Sequence, residues 1–388
     1  MTTLTTVANK FEEELYIVDE VTYNSDPSSA AAGFGSGDSV DTINKEAGKT
    51  RNSKIDEAIN GTRSNLARIL QRNEGTFSFE VPLRPSGTAG TAPGEDLLLG
   101  SALGVSSNVP ATSQTYTPDA SRKSLAAYIK RGFFGEFFTG LVVDSWKLTI
   151  DGENEAMWTF EGPLADGRRA GADTVAGGGV TSDATTLTVT NGLNYEANTQ
   201  ILLASEIMQV TSVSGNDLTV VRGFAGTTNV THASDVAVGP LDPTFVSTGT
   251  SIVGPVTITF DTGSGAVTFD VMSIEISGAE AVKMFNDETQ TTFATGFTKN
   301  RRSYTAAVEM RLYSDQFHIL QSFTQQDGFT VIITIGETAG RIVTITSATT
   351  VVEGEIEGIP FNDDEQVVPL NLVFLASAGD DELSIAYT

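Results

Sequence analysis

The sequence has no cysteine and only two histidines, His232 and His318. Without cysteine there is no disulfide framework, no thiolate metal site and no cysteine nucleophile. Two isolated histidines are a poor basis for a multi-histidine metal centre or a Ser–His–Asp triad. Bases are scarce as well: 23 Lys and Arg stand against 49 Asp and Glu, a formal charge of −26. That balance excludes a sequence-independent nucleic-acid clamp, which needs surplus cations to displace counterions from phosphates. No apolar run reaches the roughly 18 residues of a bilayer-spanning helix, so no membrane segment is expected. The N-terminal MTTLTTVANKFEEELY has no basic stretch leading into an apolar one, so no secretory signal is expected either.

What the chain does have is length and a β-forming composition. Its 388 residues are 39% apolar, with 38 Gly and abundant Thr, Ser and Val. This suffices for a sizeable core and favours short strands and turns over helical bundles. Glu14–Val18 reads as a first strand. The Ser-, Gly- and Asp-rich stretch 24–50 reads as a long loop; its GFGSGDS lacks the strand–helix context of a phosphate cradle. Residues 51–72 carry a partial helical period through Ile55, Ile59, Leu66, Ile69 and Leu70. FSFEVP at 77–82 alternates like a strand. Glu95 and Asp96 open a short apolar helix, LLLGSALG. The stretch 105–120 is rich in Ser, Thr and Pro, and strands are expected around Tyr128–Ile129 and Phe133–Val143. Val142–Ile150 and Ala156–Phe160 pair as a hairpin across DGENE.

Residues 180–238 read as a separate module of short strands split by turn signals at NG, SGND, GFAG and ASD, with AGGGV and GPLDP as its linkers. Strand patterns then run to the end, interrupted by one helix after Ser314–Asp315 with Phe317, Leu320 and Phe323 on one face. Two stretches echo each other. The first runs from Arg68 and Arg72 through FSFEVPL and EDLLLGSALG to the hairpin at 142–167. The second runs from KNRR through YTAAVEMRLY and SDQFHILQSF to the hairpin starting at Val351. The expected organisation is a β domain at 1–175, an inserted module at 176–242 and a second, similar β domain at 243–388.

Several of these segments resemble a known family. FATGFTKNRRSY, the SDQFHIL helix and VVPLNLVFLASAGDDELSI resemble the tail tube protein of long-tailed, siphovirus-like bacteriophages. NEGTFSFEVPLRPSGTAGTAPGEDLLLGSALG resembles the equivalent part of that family. The middle stretch, with its E-x-M-x-V strand, V-x-R-G-x-x-G-T turn and His232, resembles a small β module that recurs in phage structural proteins. The resemblance implies two tandem tail-tube-type β-sandwich or barrel domains, each with a short helix, and an outward-projecting inserted module. It implies a virion structural protein, assembled in the bacterial host cytoplasm, whose rings stack into the hollow conduit for DNA ejection. A single-domain subunit of this family forms rings of six; a tandem subunit would need three. The implied partners are further copies of itself, a tape measure protein, and tail tip and terminator proteins. DNA would pass through the lumen without specific binding, and no membrane is implied.

No catalytic, cofactor-binding or metal-binding residue is assigned. Phe260–Ser264 contains Asp-Thr-Gly-Ser, the string of an aspartic protease loop, but no second copy exists and the sequence fits a hairpin turn. DGENE at 151–155 and FNDDEQ at 361–366 read as solvated turns rather than calcium loops. Candidates for contacts between subunits are Arg68, Arg72, Lys299, Arg301 and Arg302, which stand out against the acidic background. The rival readings are an adhesin-like or baseplate binding protein and, more remotely, an aspartic-type hydrolase using Asp261.

Overall fold

A computed structural model describes residues 13–24, 33–55, 68–151, 154–252, 254–263, 265–285, 294–311, 328–354, 361–362 and 365–388. The chain is mainly β, with several sheets and one α-helix among these residues. The first stretch holds β1 (Glu13–Asp19), β2 (Ser39–Val40), β3 (Asn44–Ile55), β4 (Arg68–Pro82), α1 (Asp96–Leu103), β5 (Gly104–Val109) and β6 (Ser113–Pro118). It continues with β7 (Leu125–Arg131), β8 (Phe134–Leu141), β9 (Ser145–Ile150), β10 (Met157–Leu164) and β11 (Asp166–Gly171). The middle holds β12 (Asp173–Thr174), β13 (Thr186–Thr188), β14 (Thr199–Leu203), β15 (Glu206–Ser214), β16 (Asp217–Val221) and β17 (Ala237–Gly239). The last stretch holds β18 (Val256–Asp261), β19 (Ala266–Ala279), β20 (Val282–Phe285), β21 (Gly296–Lys299) and β22 (Ser303–Arg311). It ends with β23 (Phe329–Ile335), β24 (Val343–Glu353), β25 (Phe361–Asn362), β26 (Glu365–Leu375) and β27 (Ser384–Tyr387).

Strand alternation builds the core. β23, FTVIITI, buries every second side chain, and β22, SYTAAVEMR, does the same. In the last stretch the pairings close on themselves: β18 joins β19, then β22, β26, β24 and β23, and β23 returns to β18. Phe260, Phe269, Ile276, Met310, Ile333 and Leu372 fill the closed ring of strands and are buried. The pairings of the first stretch recur in it. β1·β7, β7·β8 and β8·β11 are matched by β18·β23, β23·β24 and β24·β27. β3·β4, β4·β10 and β10·β9 are matched by β19·β22, β22·β26 and β26·β24. The echo read in the sequence is thus an echo of strand order.

The two matching sets are joined edge to edge. β9 pairs antiparallel with β19, from Ser145↔Ala279 to Ile150↔Ile274, and β27 pairs with β6. One hydrophobic core runs through both sets, from Leu15 to Tyr387. At the first joint a buried ion pair ties Arg122 to Glu280, and the Tyr304 hydroxyl donates to Glu280 Oε1 at 2.6 Å. At the second, Tyr387 donates to the buried Glu95 at 2.7 Å beside the N-terminus of α1, and Tyr116 donates to Asp96 at 2.5 Å.

The sheet β11-β8-β7-β1-β2 is covered on both faces. Leu15, Ile17, Ala127 and Ile129 point into the large core, while Tyr16, Ala126, Tyr128 and Phe137 point into a second one. This explains why β7 is a continuous buried run rather than an alternating strand. The second core belongs to the middle sheet, β12-β17-β14-β15-β16-β13. The GPLDP stretch is pinned down rather than free: Leu241 is buried, and its carbonyl accepts from Tyr128 at 2.8 Å.

Three readings of the sequence need correction. Within 24–50, expected as a loop, Ser39–Val40 and Asn44–Thr50 are strand, and Phe34 is buried against Tyr128 and Phe137. The helical period over 51–72 does not form a helix in the described part: Arg51–Ile55 and Arg68–Arg72 are the far end of the β3–β4 hairpin. Hairpin pairing alone extends this segment, and spacing among few apolar residues cannot reveal that partner. The Ser/Thr/Pro stretch 105–120 is the β5–β6 hairpin. The expected helix after Ser314–Asp315 lies outside the described residues, whereas the Glu95-capped helix is α1.

The joint is sterically tight. A Cβ added at Gly278 would come within 2.3 Å of Trp146 Nε1, and the indole is itself buried. Gly278→Val is expected to destabilise the chain by about 1–3 kcal/mol, read as a lower urea midpoint, whereas Ala279→Val on the exposed side should leave it unchanged. Burial pushes the Glu95 carboxyl up to about 7 from its ordinary 4.5, against the opposing hydrogen bond from Tyr387. The folded state therefore prefers the protonated acid, so this contribution is complete below pH 4.5 and lost as pH rises through 7. Glu95→Gln is expected to remove that slope, with a wild-type-minus-variant difference of roughly 3 kcal/mol between pH 4.5 and 8 in denaturant titrations.

Candidate functional site: an acidic sheet face

The edge joint at β9·β19 merges two four-strand sets into one strip, β3-β4-β10-β9-β19-β22-β26-β24. Its register can be followed across the strands: Asn44, Glu80, Thr159, Lys147, Ser277, Thr305 and Val373 stand opposite one another in turn. These residues point away from the core, because Phe79, Phe160, Trp146, Ile276, Tyr304 and Leu372 beside them are buried. The outer face is thus mostly polar, rich in Ser, Thr and Glu. It is hollowed: Glu80, Lys147, Thr159, Glu161, Ser277 and Thr305 line an open depression of about 540 Å3.

The face carries carboxylates from six strands, namely Glu46, Glu80, Glu161, Glu275, Glu309 and Glu353. Against them stand Lys147, 3.2 Å from Glu275, and Arg311 at the end of β22. Short hydroxyl contacts knit the surface: Ser273 donates to Glu309 at 3.0 Å, Ser277 and Thr305 lie 3.0 Å apart, and Ser78 donates to Glu161 at 3.3 Å. Among the described residues no large aromatic side chain points outward from this face to stack a base or a sugar. Sequence reasoning did not single out these glutamates. The available signal was repeated: FSFEV, SIEIS and AVEMR each set one Glu at a polar position between buried apolar neighbours, and WTFEG sets one after the buried Phe160.

Among the described residues many of the scarce bases are committed within the chain. Lys49 and Arg168 pair with Asp166, Arg131 with Glu13 and Glu136, Arg169 with Glu136, and Lys130 with Glu14 and Asp242. Of the proposed contact residues, Arg68 and Arg72 lie on β4, in the part of the β3–β4 hairpin that extends past the last residue paired with β10. Lys299 ends β21, where burial and the nearby Arg122 lower its pKa. Arg301 is exposed. Arg302 is bound to its own chain: it pairs with Asp380 and, at 2.9 Å, with Glu382. Lys299 lies within electrostatic reach of Arg122 and Arg302, whereas Arg68 and Arg72 are on a different hairpin.

The middle module's motif is a structural staple. Glu206, fully buried, receives Arg222 Nε at 2.6 Å and Nη2 at 2.8 Å, the backbone N–H groups of Gly223 and Val230 at 3.1 Å, and lies 2.9 Å from His232 Nε2. His232, read as a turn residue, is buried in this hub. Asp261 caps the β18–β19 hairpin, accepting the Gly263 N–H at 2.9 Å, and is exposed. His318, and parts of DGENE and FNDDEQ, lie outside the described residues. Among the described residues no three His, Asp or Glu side chains are arranged to hold a metal ion, and no helix is long and apolar enough to cross a membrane.

Burial opposes ionisation of Glu206, but Arg222, His232 and the backbone donors outweigh it and hold its pKa at about 2. The stabilisation this gives is present above pH 4.5 and lost as pH falls towards 2. Arg222→Met leaves a buried carboxylate unpaired and is expected to cost about 3–5 kcal/mol. Limited proteolysis should then cut within 176–242 before the rest of the chain.

Comparison with known proteins gives no matching family model and no matching curated protein.

Proposed function

We propose that this chain is a structural virion protein, the subunit of a phage tail tube, and that its acidic sheet face lines the conduit. In this reading residues 1–175 and 243–388 are tandem copies of one tube-forming domain, and 176–242 is an outward module. The observation that carries the reading is the strip itself: two sets with the same strand order share one hollowed, carboxylate-rich surface. Such a wall repels a polyanion at close range, since charges within a Debye length of about 8 Å are felt at physiological salt. DNA would then slide past without adhering. The duplicated strand order also reduces the copies needed for a six-domain ring to three. A passive role needs no catalytic residue. The tape measure, tail tip and terminator proteins implied by the family resemblance would be its partners in the virion.

Negative-stain microscopy of purified protein is expected to show rings or hollow tubes of uniform diameter; particles that stay single at millimolar concentration would overturn the reading. The wall makes a second prediction. Glu80→Lys, Glu161→Lys and Glu275→Lys together should leave assembly intact and make the particles retain double-stranded DNA at 0.15 M salt, where the wild type releases it. Equal retention by both would remove the role assigned to the acidic face.

A further inference from the structure

Each of the two joints between the matching sets holds a buried glutamate that accepts from a buried tyrosine. At β9·β19 the acid is Glu280, which accepts from Tyr304 at 2.6 Å and pairs with the buried Arg122. At β6·β27 the acid is Glu95, which accepts from Tyr387 at 2.7 Å. The difference is the cation. Glu280 has a guanidinium against it, so its charge is matched inside the joint. The side chains facing Glu95 are Asp96 beside it on α1, Tyr116 on β6, Tyr387 on β27 and Trp158 on β10, and none is a base. Arg84 turns only its main chain towards Glu95; its guanidinium is held by Asp41 at 2.9 Å and by Ser247 and Ser251. Glu95 Oε2 has no hydrogen-bond partner.

The joints also differ in extent. β9 and β19 pair over six residues each, with Trp146 closed over Gly278. β6 and β27 pair over three, from Gln114↔Tyr387 to Tyr116↔Ile385. α1, β5 and β6 follow one another from Asp96 to Pro118, so they can leave β27 as one unit.

We infer that the β6·β27 seam is a proton-controlled latch, closed while Glu95 is neutral and opening locally once it ionises, whereas β9·β19 stays shut. An ionised Glu95 in the closed seam is a buried charge without a counter-charge, next to a second acid. Opening returns it to water and to its ordinary 4.5, whereas burial in the closed seam pushes it up to about 7. Between these values the closed seam keeps the proton and the open one releases it, so opening becomes easier as pH rises through that window and levels off above 7. Opening uncovers the edges of β6 and β27 and the buried Leu98, Leu99, Tyr116 and Tyr387. The latch is a property of the single chain and does not depend on the tube reading.

Hydrogen–deuterium exchange at pH 5 and pH 8, corrected for the intrinsic rate, tests it. Peptides within 96–118 and 384–388 are expected to lose protection on the order of a hundredfold from the lower to the higher pH, while peptides within 145–150 and 274–279 keep theirs. Glu95→Gln should hold the seam closed at both pH values. Tyr387→Phe, which removes the donor to Glu95, should loosen the seam more at pH 8 than at pH 5. Equal loss of protection at both joints, no loss at the seam, or a pH dependence of the seam that survives in Glu95→Gln would each overturn the latch. Should Glu95→Gln fail to fold, the wild-type comparison and Tyr387→Phe still decide: an unchanged seam in the first, or a pH-independent effect in the second, overturns it.

Discussion

Satisfying the backbone at the edges of sheets is the constraint on which this structure depends. Every strand brings a row of N–H and C=O groups that must find partners or face water. The chain meets this demand by joining one four-strand set to another at β9·β19, and by laying β6 against β27. The joints are not incidental contacts. Trp146 closes over Gly278, where no side chain fits, and the Arg122–Glu280 pair is buried beside it. A buried pair of this kind contributes little net stability but is costly to break, so it fixes how the two sets meet.

From the joint follows the face. Once two sets share one strip, the outward residues of eight strands form one surface, and its chemistry is cumulative. A single glutamate on a strand is an ordinary solvated residue; six of them on adjoining strands make a field. Lys147 and Arg311 stand on the face itself, while other bases are held elsewhere, in pairs such as Lys49–Asp166 and Arg168–Asp166 around the smaller sheet. The net charge is therefore distributed unevenly: cations are consumed in holding the layers together, and surplus acid remains on the open face.

The middle module shows a different economy. Its sheet is too small to bury a core alone, so it shares one with Tyr16, Tyr128 and Phe137 on the back of the five-stranded sheet. Its recurring residues, Glu206, Arg222, Gly223 and His232, converge on one buried hub that organises the turns. That gives the motif a structural reason and leaves no titratable group of the hub pointing at solvent. The mainly β class, the short helix opened by Glu95 and Asp96, the hairpin across DGENE and the short strands of the module were all legible, because alternation, acids at a helix start and turn residues are local signals. The Asp261 string was legible too, as the hairpin turn it occupies.

The sequence by itself determined that the chain is mainly β and acidic, where the module's turns fall, and that alternating segments such as FSFEVP and YTAAVEMR extend. Only the tertiary structure decided that 44–55 is a strand, that Arg302 belongs to Asp380 and Glu382, and that scattered glutamates share a surface. The physical reason is range. Propensity and periodicity act within a few residues, whereas strand pairing joins positions more than a hundred residues apart, such as Lys147 and Ser277, and leaves no trace in either segment alone.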